Sequence, residues 1–184
     1  MIMSREIFVE KLINELAMNR NGLIIKDLKT NLEKYVLSEN LTDEEIALLM
    51  ISLSKVFRNN TLNQFALEFA DQLNIDNNII EEAKQIPGIN GMLNSYHKFR
   101  HYIEVNDKNA SYEYGSVGLK MGILSKPLMN PGTFEIIFIS ISIINGCEKC
   151  VIAHENHATH MGVSRNKIHD AVRITSILKG FSEI

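Results

Sequence analysis

Two cysteines and one histidine near the end of the chain have the types and the spacing that redox chemistry requires. Cys147 and Cys150 are the only cysteines among 184 residues, and His154 follows the second of them by four positions. A chain with no other cysteine cannot be held together by a set of disulfides. The C-x-x-C pair therefore predicts redox chemistry rather than a structural scaffold.

On a helix the reactive side chains would share one face. Counted from Cys147 at about 100° per residue, Cys150 lies at about 300°, His154 at about 340° and His157 at about 280°. Asn145-Gly146 predicts a turn just before the pair, so we expect both cysteines in the first turn of a new helix. Free backbone N–H groups there stabilise a thiolate, and a histidine one turn away can accept the thiol proton. The pattern predicts an activated dithiol.

One acidic residue lies upstream in an apolar environment. Glu135 is the only charged residue of the run Thr133–Ile144, and burial of a carboxyl group suits it to proton transfer. On one straight helix it would lie about 18 Å from Cys147. A turn at Asn145-Gly146 would instead fold two helices together and bring Glu135 opposite His154, where a carboxylate could orient the histidine. The sequence is equally consistent with a Glu135 that caps a helix or pairs with a lysine.

The rest of the chain predicts an all-α fold. Apolar residues recur with helical spacing over most of the chain, and Thr42 with Glu45 forms a predicted capping box. Thr133–Ile144 has some strand character, but its length favours a buried helix. Pro87-Gly88 is expected to separate two helices. The predicted helices cover residues 4–18, 24–37, 42–58, 61–73, 76–85, 90–105 and 133–144, the motif region up to Gly162, and a last stretch from Ser164 to Gly180; residues 106–132 are predicted to be a loop with one short helix.

Composition restricts the class of protein. The net charge is −3, from 19 basic and 22 acidic residues, and no basic run predicts binding to nucleic acid or to an anionic membrane surface. No uncharged apolar stretch reaches the length of a membrane span. The N-terminal segment from Met1 mixes acidic with apolar residues, unlike a signal peptide. We therefore expect a single domain over residues 1–184 in the cytoplasm, where thiols are kept reduced.

These residues resemble a known family. Glu135, followed by Asn-Gly-Cys-x-x-Cys-x-x-Ala-His-Glu and then Met161-Gly162-Val163, resembles the alkyl hydroperoxidase D (AhpD) family of carboxymuconolactone decarboxylase-like proteins. The resemblance implies an all-α, homotrimeric antioxidant peroxidase with no bound cofactor. It also implies that dihydrolipoamide, carried on a lipoyl-bearing 2-oxo-acid dehydrogenase acyltransferase, re-reduces the cysteine pair. Residue by residue, Glu135, Cys147, Cys150 and His154 match the family's catalytic four, with Cys147–Cys150 as the redox disulfide.

The residue before the second cysteine departs from the family's pattern. Better-known members have a histidine there that assists proton relay, and this chain has Lys149. A lysine stabilises a thiolate by its charge but is a poor proton shuttle near pH 7. Lys149 is therefore a candidate auxiliary residue, and its presence bears on the peroxidase rate and on the natural substrate.

The position of His154 assigns different roles to the two thiols. It lies one turn from Cys150 and two from Cys147, so we expect Cys150 to attack the peroxide and become a sulfenic acid. Cys147, nearer the helix end and expected to be the more exposed, would then form the disulfide and react with the reductant. The helix dipole alone favours the opposite assignment.

Two other functions remain open from the sequence. The chain could be a disulfide reductase that supplies electrons to a separate peroxiredoxin, or a non-redox carboxymuconolactone decarboxylase-like protein whose thiols are incidental. A metal site is not expected, because Cys147 to His157 spans about 15 Å of one helix whereas zinc–ligand bonds are about 2 Å. His157 is interpreted as a surface residue, and His97 and His101 as structural or subunit-interface residues.

Overall fold

The regular structure of the chain is helical, as predicted. The computed structural model describes residues 4–18 and 20–184, and every regular element in this part of the chain is a helix. The α-helices are α1 (Arg5–Ala17), α2 (Leu23–Val36), α3 (Asp43–Val56), α4 (Asn60–Gln72), α5 (Asn77–Asn106), α6 (Ala110–Glu113), α7 (Pro131–Ile144), α8 (Glu148–His160) and α9 (Arg165–Ser182), with a 3-10 turn at Gly122–Leu124. Residues 1–3, with which the N-terminal segment discussed above begins, lie outside the described residues. Among the described residues, none of the helices combines the length and the hydropathy needed to cross a membrane.

Local capping signals begin several helices where the sequence predicts. The Thr42 hydroxyl accepts the N–H of Glu45 over 3.2 Å, and the Glu45 carboxylate accepts the N–H of Thr42 over 2.8 Å. Both halves of the predicted capping box are therefore present at the start of α3. Ser164 caps α9 through one hydrogen bond, in which its hydroxyl accepts from the N–H of Lys167.

Helix α7 is buried along most of its length, and the prediction of a helix rather than a strand is confirmed. All residues from Thr133 to Ser142 are buried, so its polar groups need partners inside the protein. Asn90 of α5 donates from Nδ2 to the Phe138 carbonyl over 3.1 Å and to the Ser142 hydroxyl over 3.3 Å. Asn94, one turn further, donates to the same hydroxyl over 3.2 Å. These bonds fix α7 against α5.

The predicted break at Pro87-Gly88 is wrong, because Asn77–Asn106 form one helix of 30 residues with Pro87 inside it. Proline has no N–H, so the Ala83 carbonyl one turn earlier lacks its usual helical donor. The Ser52 hydroxyl of α3 donates to that carbonyl over 2.8 Å, and both residues are fully buried. Packing against α3 therefore stabilises a continuous helix that the local sequence disfavours.

Ser52→Ala should lower the free energy of unfolding by about 1–3 kcal/mol, because it leaves the buried Ala83 carbonyl without this donor. In a Pro87→Ala background the restored N–H can serve the same carbonyl, so Ser52→Ala should cost less there. Urea denaturation of the four proteins of this double-mutant cycle measures the difference. Equal losses in both backgrounds would contradict the compensation.

The last helix does not end at Gly180 as predicted. α9 continues to Ser182, and Gly180 lies inside it. A β-carbon at Gly180 would lie 2.8 Å from Cδ2 of Leu28, which is closer than carbon atoms approach without a shift. The glycine therefore allows α2 and α9 to pack closely, and it does not terminate the helix.

Residues 106–132 are mostly irregular, as predicted, and they deliver the chain to the start of α7. The buried Glu82 carboxylate of α5 accepts the N–H groups of Leu128 and Met129 over 2.8 and 2.9 Å. Asn130 then caps α7, with its side chain accepting the N–H of Gly132 over 2.8 Å. These contacts set the position of the helix that carries Glu135.

Candidate active site

The turn between α7 and α8 folds the chain back on itself. Gly146 has a φ of +66°, a left-handed conformation that glycine adopts without strain. Its N–H donates to the Ile143 carbonyl over 3.1 Å, and the N–H of Cys147 donates to the Ser142 carbonyl over 3.0 Å. The two bonds make a Schellman motif that closes α7. The predicted turn at Asn145-Gly146 is confirmed, and α8 packs back along α7.

Both cysteines lie at the start of α8, as the sequence predicts. Cys147 is the N-cap residue, and Cys150 lies within the first turn. Their sulfurs are bonded to each other, with the two Cα atoms 5.3 Å apart. After reduction, the thiols would therefore lie within bridging distance and close to the free N–H groups of the helix end.

The prediction that Cys147 is the more exposed cysteine is wrong. Cys147 is 1% exposed and Cys150 is 5% exposed. Helix α5 covers the turn that carries Cys147: Lys98 donates to the Asn145 carbonyl over 3.0 Å, and the Asn145 side chain donates to Asn94 over 2.9 Å. The sequence around the motif does not reveal this cover, because α5 lies some fifty residues upstream in the chain.

Glu135 and His154 meet across the hairpin, as the count from the turn predicts. Oε2 of Glu135 lies 2.5 Å from Nδ1 of His154, and the two side chains are 10% and 14% exposed. Asn130 caps α7, and the ion pairs of Glu135 among the described residues are with histidines. Glu135 is therefore neither a helix cap nor a lysine partner.

The surroundings of His154 determine which nitrogen is free to act. An ionised Glu135 accepts a hydrogen bond, so the contact assigns the proton of a neutral imidazole to Nδ1 and leaves the lone pair on Nε2. The Phe138 ring lies 4.7 Å from the imidazole, centroid to centroid, and limits its rotation. The imidazole of His154 is thus held in one orientation, one turn after Cys150.

His157 is a surface residue, as predicted, and it also lies beside Glu135. Its Nδ1 lies 3.8 Å from Oε1 of Glu135, and its side chain is 68% exposed. The sequence indicated this position, because His157 is predicted to share one helical face with Cys150 and His154. One possible metal-ligand atom from each of Glu135, His154 and His157 lies within 4.8 Å of the other two. The expectation of no metal site rests on distances along one helix, whereas Glu135 comes from α7. The 2.5 Å contact between Glu135 and His154 is shorter than the roughly 3.3 Å between two ligands of a tetrahedral zinc ion, and is that of a hydrogen bond.

Lys149 is paired with a carboxylate. Its ammonium group donates to Glu104 of α5, and its side chain is 45% exposed. The hydrogen bond from Lys149 is the main reason why the pKa of Glu104 lies below its ordinary value. The ion pair joins α5 to the start of α8, and the carboxylate of Glu104 partly neutralises the positive charge of Lys149.

His97 and His101 line a cavity that Cys147 also lines. Together with Tyr102 they form the α5 wall of this cavity of about 160 Å³, whose opposite wall includes Cys147 and Lys149. The four-residue spacing of the two histidines indicated that they share one face of a helix. The position of the two histidines near Cys147 depends on the packing of α5 against the α7–α8 turn, which the sequence did not reveal.

Comparison with known proteins identifies relatives over most of the chain. The Carboxymuconolactone decarboxylase family matches residues 115–184, which include α7, α8 and α9. Alkyl hydroperoxide reductase AhpD of Anaeromyxobacter dehalogenans is 31% identical over 153 residues, covering 83% of this chain and 80% of the relative. The AhpD of Coxiella burnetii is 29% identical over 163 residues, covering 86% and 89% respectively. A third AhpD, from Azorhizobium caulinodans, is 30% identical over 83% of this chain and 82% of its own length. On this similarity, the chain belongs to the AhpD family of carboxymuconolactone decarboxylase-like proteins.

Proposed function

We propose that the protein is a thiol peroxidase that reduces alkyl hydroperoxides or hydrogen peroxide through Cys147 and Cys150. The observation that carries this proposal is the cysteine pair at the start of α8, with the Glu135–His154 pair one turn beyond Cys150. A histidine that is oriented by a carboxylate and lies beside a thiol can act as its base. The relatives named alkyl hydroperoxide reductase support the same reaction class.

The reaction follows from the order of groups along α8. His154 takes the proton of the Cys150 thiol, and the thiolate attacks one oxygen of the peroxide. The O–O bond breaks, Cys150 becomes a sulfenic acid, and the departing alkoxide takes the proton from His154. The Cys147 thiol then attacks the Cys150 sulfur, and water leaves as the disulfide forms. Glu135 stabilises the transient positive charge on His154.

Peroxide should oxidise the two thiols together in the reduced protein. The sulfurs can bridge without rearrangement of the backbone, since the Cα atoms are 5.3 Å apart. Mass spectrometry of the peptide that contains both cysteines should show the loss of two hydrogens, with no alkylatable thiol remaining. A stable sulfinic acid on one cysteine beside a free thiol on the other would contradict the proposal.

Dihydrolipoamide, or a similar dithiol on a lipoyl-bearing acyltransferase, is the proposed reductant. Turnover with dihydrolipoamide, thioredoxin and glutathione should be compared in one assay, and we expect the dithiol to support the fastest rate. Electron transfer to a separate peroxiredoxin, without direct peroxide reduction, would identify the protein as a disulfide reductase. Absence of both thiol oxidation by peroxide and electron transfer to a peroxiredoxin would instead favour the non-redox alternative.

A homotrimer is the proposed assembly. The family resemblance supports it, and the second half of α5 carries large apolar side chains that another subunit could cover. Phe99 is 43% exposed and Val105 is 73% exposed. Exposed apolar groups of this size, close together on one helix, are typical of surfaces that contact another protein.

A further inference from the structure

A cavity between α5 and the α7–α8 turn has Cys147 in its wall, whereas neither Glu135 nor His154 lines it. It has a volume of about 160 Å³ and is lined by residues of α5 and of the α7–α8 turn, including His97, His101, Tyr102 and Cys147. Cys147 is only 1% exposed, so a reductant must approach its sulfur through a narrow space. That space suits a flexible, linear thiol.

Two imidazoles line the cavity, those of His97 and His101, and the environment of His97 favours its neutral form. His97 is half-buried, and its pKa lies below its ordinary value because of burial first, and then because of electrostatic interactions with Lys149, His154 and Arg100. A neutral imidazole can accept a proton at pH 7, whereas an imidazolium cannot. The charged and titratable groups around His97 are Tyr96, Lys98, Arg100, His101, Tyr102 and Glu104 on α5 and Glu148, Lys149 and His154 on α8, with Glu135 of α7 behind His154.

The other nitrogen groups in and near the cavity are engaged with other partners. The ammonium group of Lys149 is paired with Glu104. The ammonium group of Lys98 donates to the Asn145 carbonyl over 3.0 Å. His154 is held by Glu135 on the Cys150 side. His97 lies between Asn94 and Lys98, the two α5 residues that are bonded to the turn at Asn145, whereas His101 lies one turn further along α5. His97 is therefore the better placed base on the Cys147 side.

We propose that His97 is the general base for the thiol reductant, which enters this cavity and attacks Cys147. The proposal rests on the proposed redox function and concerns its reductive half.

The reductive step balances with these groups. The first thiol of the reductant gives its proton to His97, and the resulting thiolate attacks the Cys147 sulfur. The disulfide breaks, so that the reductant is bonded to Cys147 and Cys150 leaves as a thiolate. The second thiol of the reductant then attacks the first, forming the oxidised dithiol and releasing Cys147, which takes the proton from His97. The proton of the second thiol passes through solvent to Cys150, so that two thiols of the reductant are oxidised and two cysteines are reduced.

The test is reduction of the Cys147–Cys150 disulfide by dithiothreitol in the full chain, without peroxide. The chain contains no tryptophan, so the reaction is best followed by acid quenching, alkylation and mass spectrometry. At pH 7, His97→Gln should slow the second-order reduction about ten-fold or more. The deficit should shrink at alkaline pH, where the reductant forms a thiolate without a base. A merely structural defect would persist at every pH.

Two further measurements keep the result specific. A phosphine, tris(2-carboxyethyl)phosphine, attacks a disulfide without losing a thiol proton, so it should reduce His97→Gln and the wild-type protein at equal rates. His169→Gln on α9 is a control for the same change at an exposed position, and it should reduce at the wild-type rate. An equal deficit with the phosphine, a deficit independent of pH, or a larger loss in His101→Gln than in His97→Gln would overturn the proposal. Because peroxide is absent from every arm, failure here is distinguishable from failure of the peroxidase function.

Discussion

Replacing Cys150 with serine is expected to reduce peroxide turnover to below about one-thousandth of the wild-type rate, since it removes the nucleophile itself. The Cys147→Ser variant should still react once with peroxide and then stop as a sulfenic acid on Cys150. His154, oriented by Glu135 at 2.5 Å, lies one turn from Cys150 and two turns from Cys147. A base within reach can remove the thiol proton, whereas the helix dipole only stabilises the thiolate once it has formed.

A sulfenic-acid trap such as dimedone, applied to both single mutants under peroxide, measures the assignment. Label should accumulate on Cys150 in Cys147→Ser, and Cys147 should stay largely unlabelled in Cys150→Ser. Exposure does not favour either outcome, because both cysteines are buried. The reverse pattern of labelling would show that Cys147 is the attacking thiol, while leaving the redox function of the pair intact.

The hairpin that positions these groups was predictable from local sequence. Asn145-Gly146 indicates a turn, and the Schellman motif there requires only hydrogen bonds between neighbouring residues. Once the turn is placed, residues at equal distances on either side must face each other, which brings Glu135 to His154. The capping box at Thr42 is local in the same sense.

The features that were not predictable depend on residues far apart in the chain. Pro87 lies inside a helix because the Ser52 hydroxyl, 31 positions from Ala83, supplies the donor that proline lacks. Gly180 lies inside α9 because Leu28 of α2 occupies the space beside it. In both places, packing between helices outweighed the local signal.

The same distinction applies to the candidate site. The helical face that carries Cys150, His154 and His157 could be predicted by counting residues along α8. The cover over Cys147, however, comes from α5, through Lys98 and Asn94. The cavity beside Cys147 and the place of His97 in it follow from that cover. A sequence pattern within one helix identifies the reacting groups, whereas the helices packed against it determine from which side a substrate can approach.

Glu135→Gln should slow peroxide turnover by about 10²-fold or more while lowering the melting temperature by no more than about 5 °C. Glutamine fills the same volume but cannot stabilise the positive charge that forms on His154 when it takes the thiol proton. Its amide N–H₂ can also donate to Nδ1, which would place the imidazole proton on Nε2 and remove the free lone pair. Steady-state turnover with a saturating dithiol reductant and thermal unfolding of the same preparations measure the two effects.

Glu155→Gln is the matched control, because Glu155 lies next to His154 on α8 and pairs with Arg165 over 2.9 Å at the surface. It should turn over peroxide at the wild-type rate. In a Cys147→Ser background, Glu135→Gln should also move the pH dependence of Cys150 alkylation by iodoacetamide to higher pH, since the thiolate loses an oriented imidazolium partner. A purely structural Glu135 would not shift that profile. Wild-type turnover in Glu135→Gln, with an unchanged alkylation profile, would show that the contact with His154 only holds α7 and α8 together.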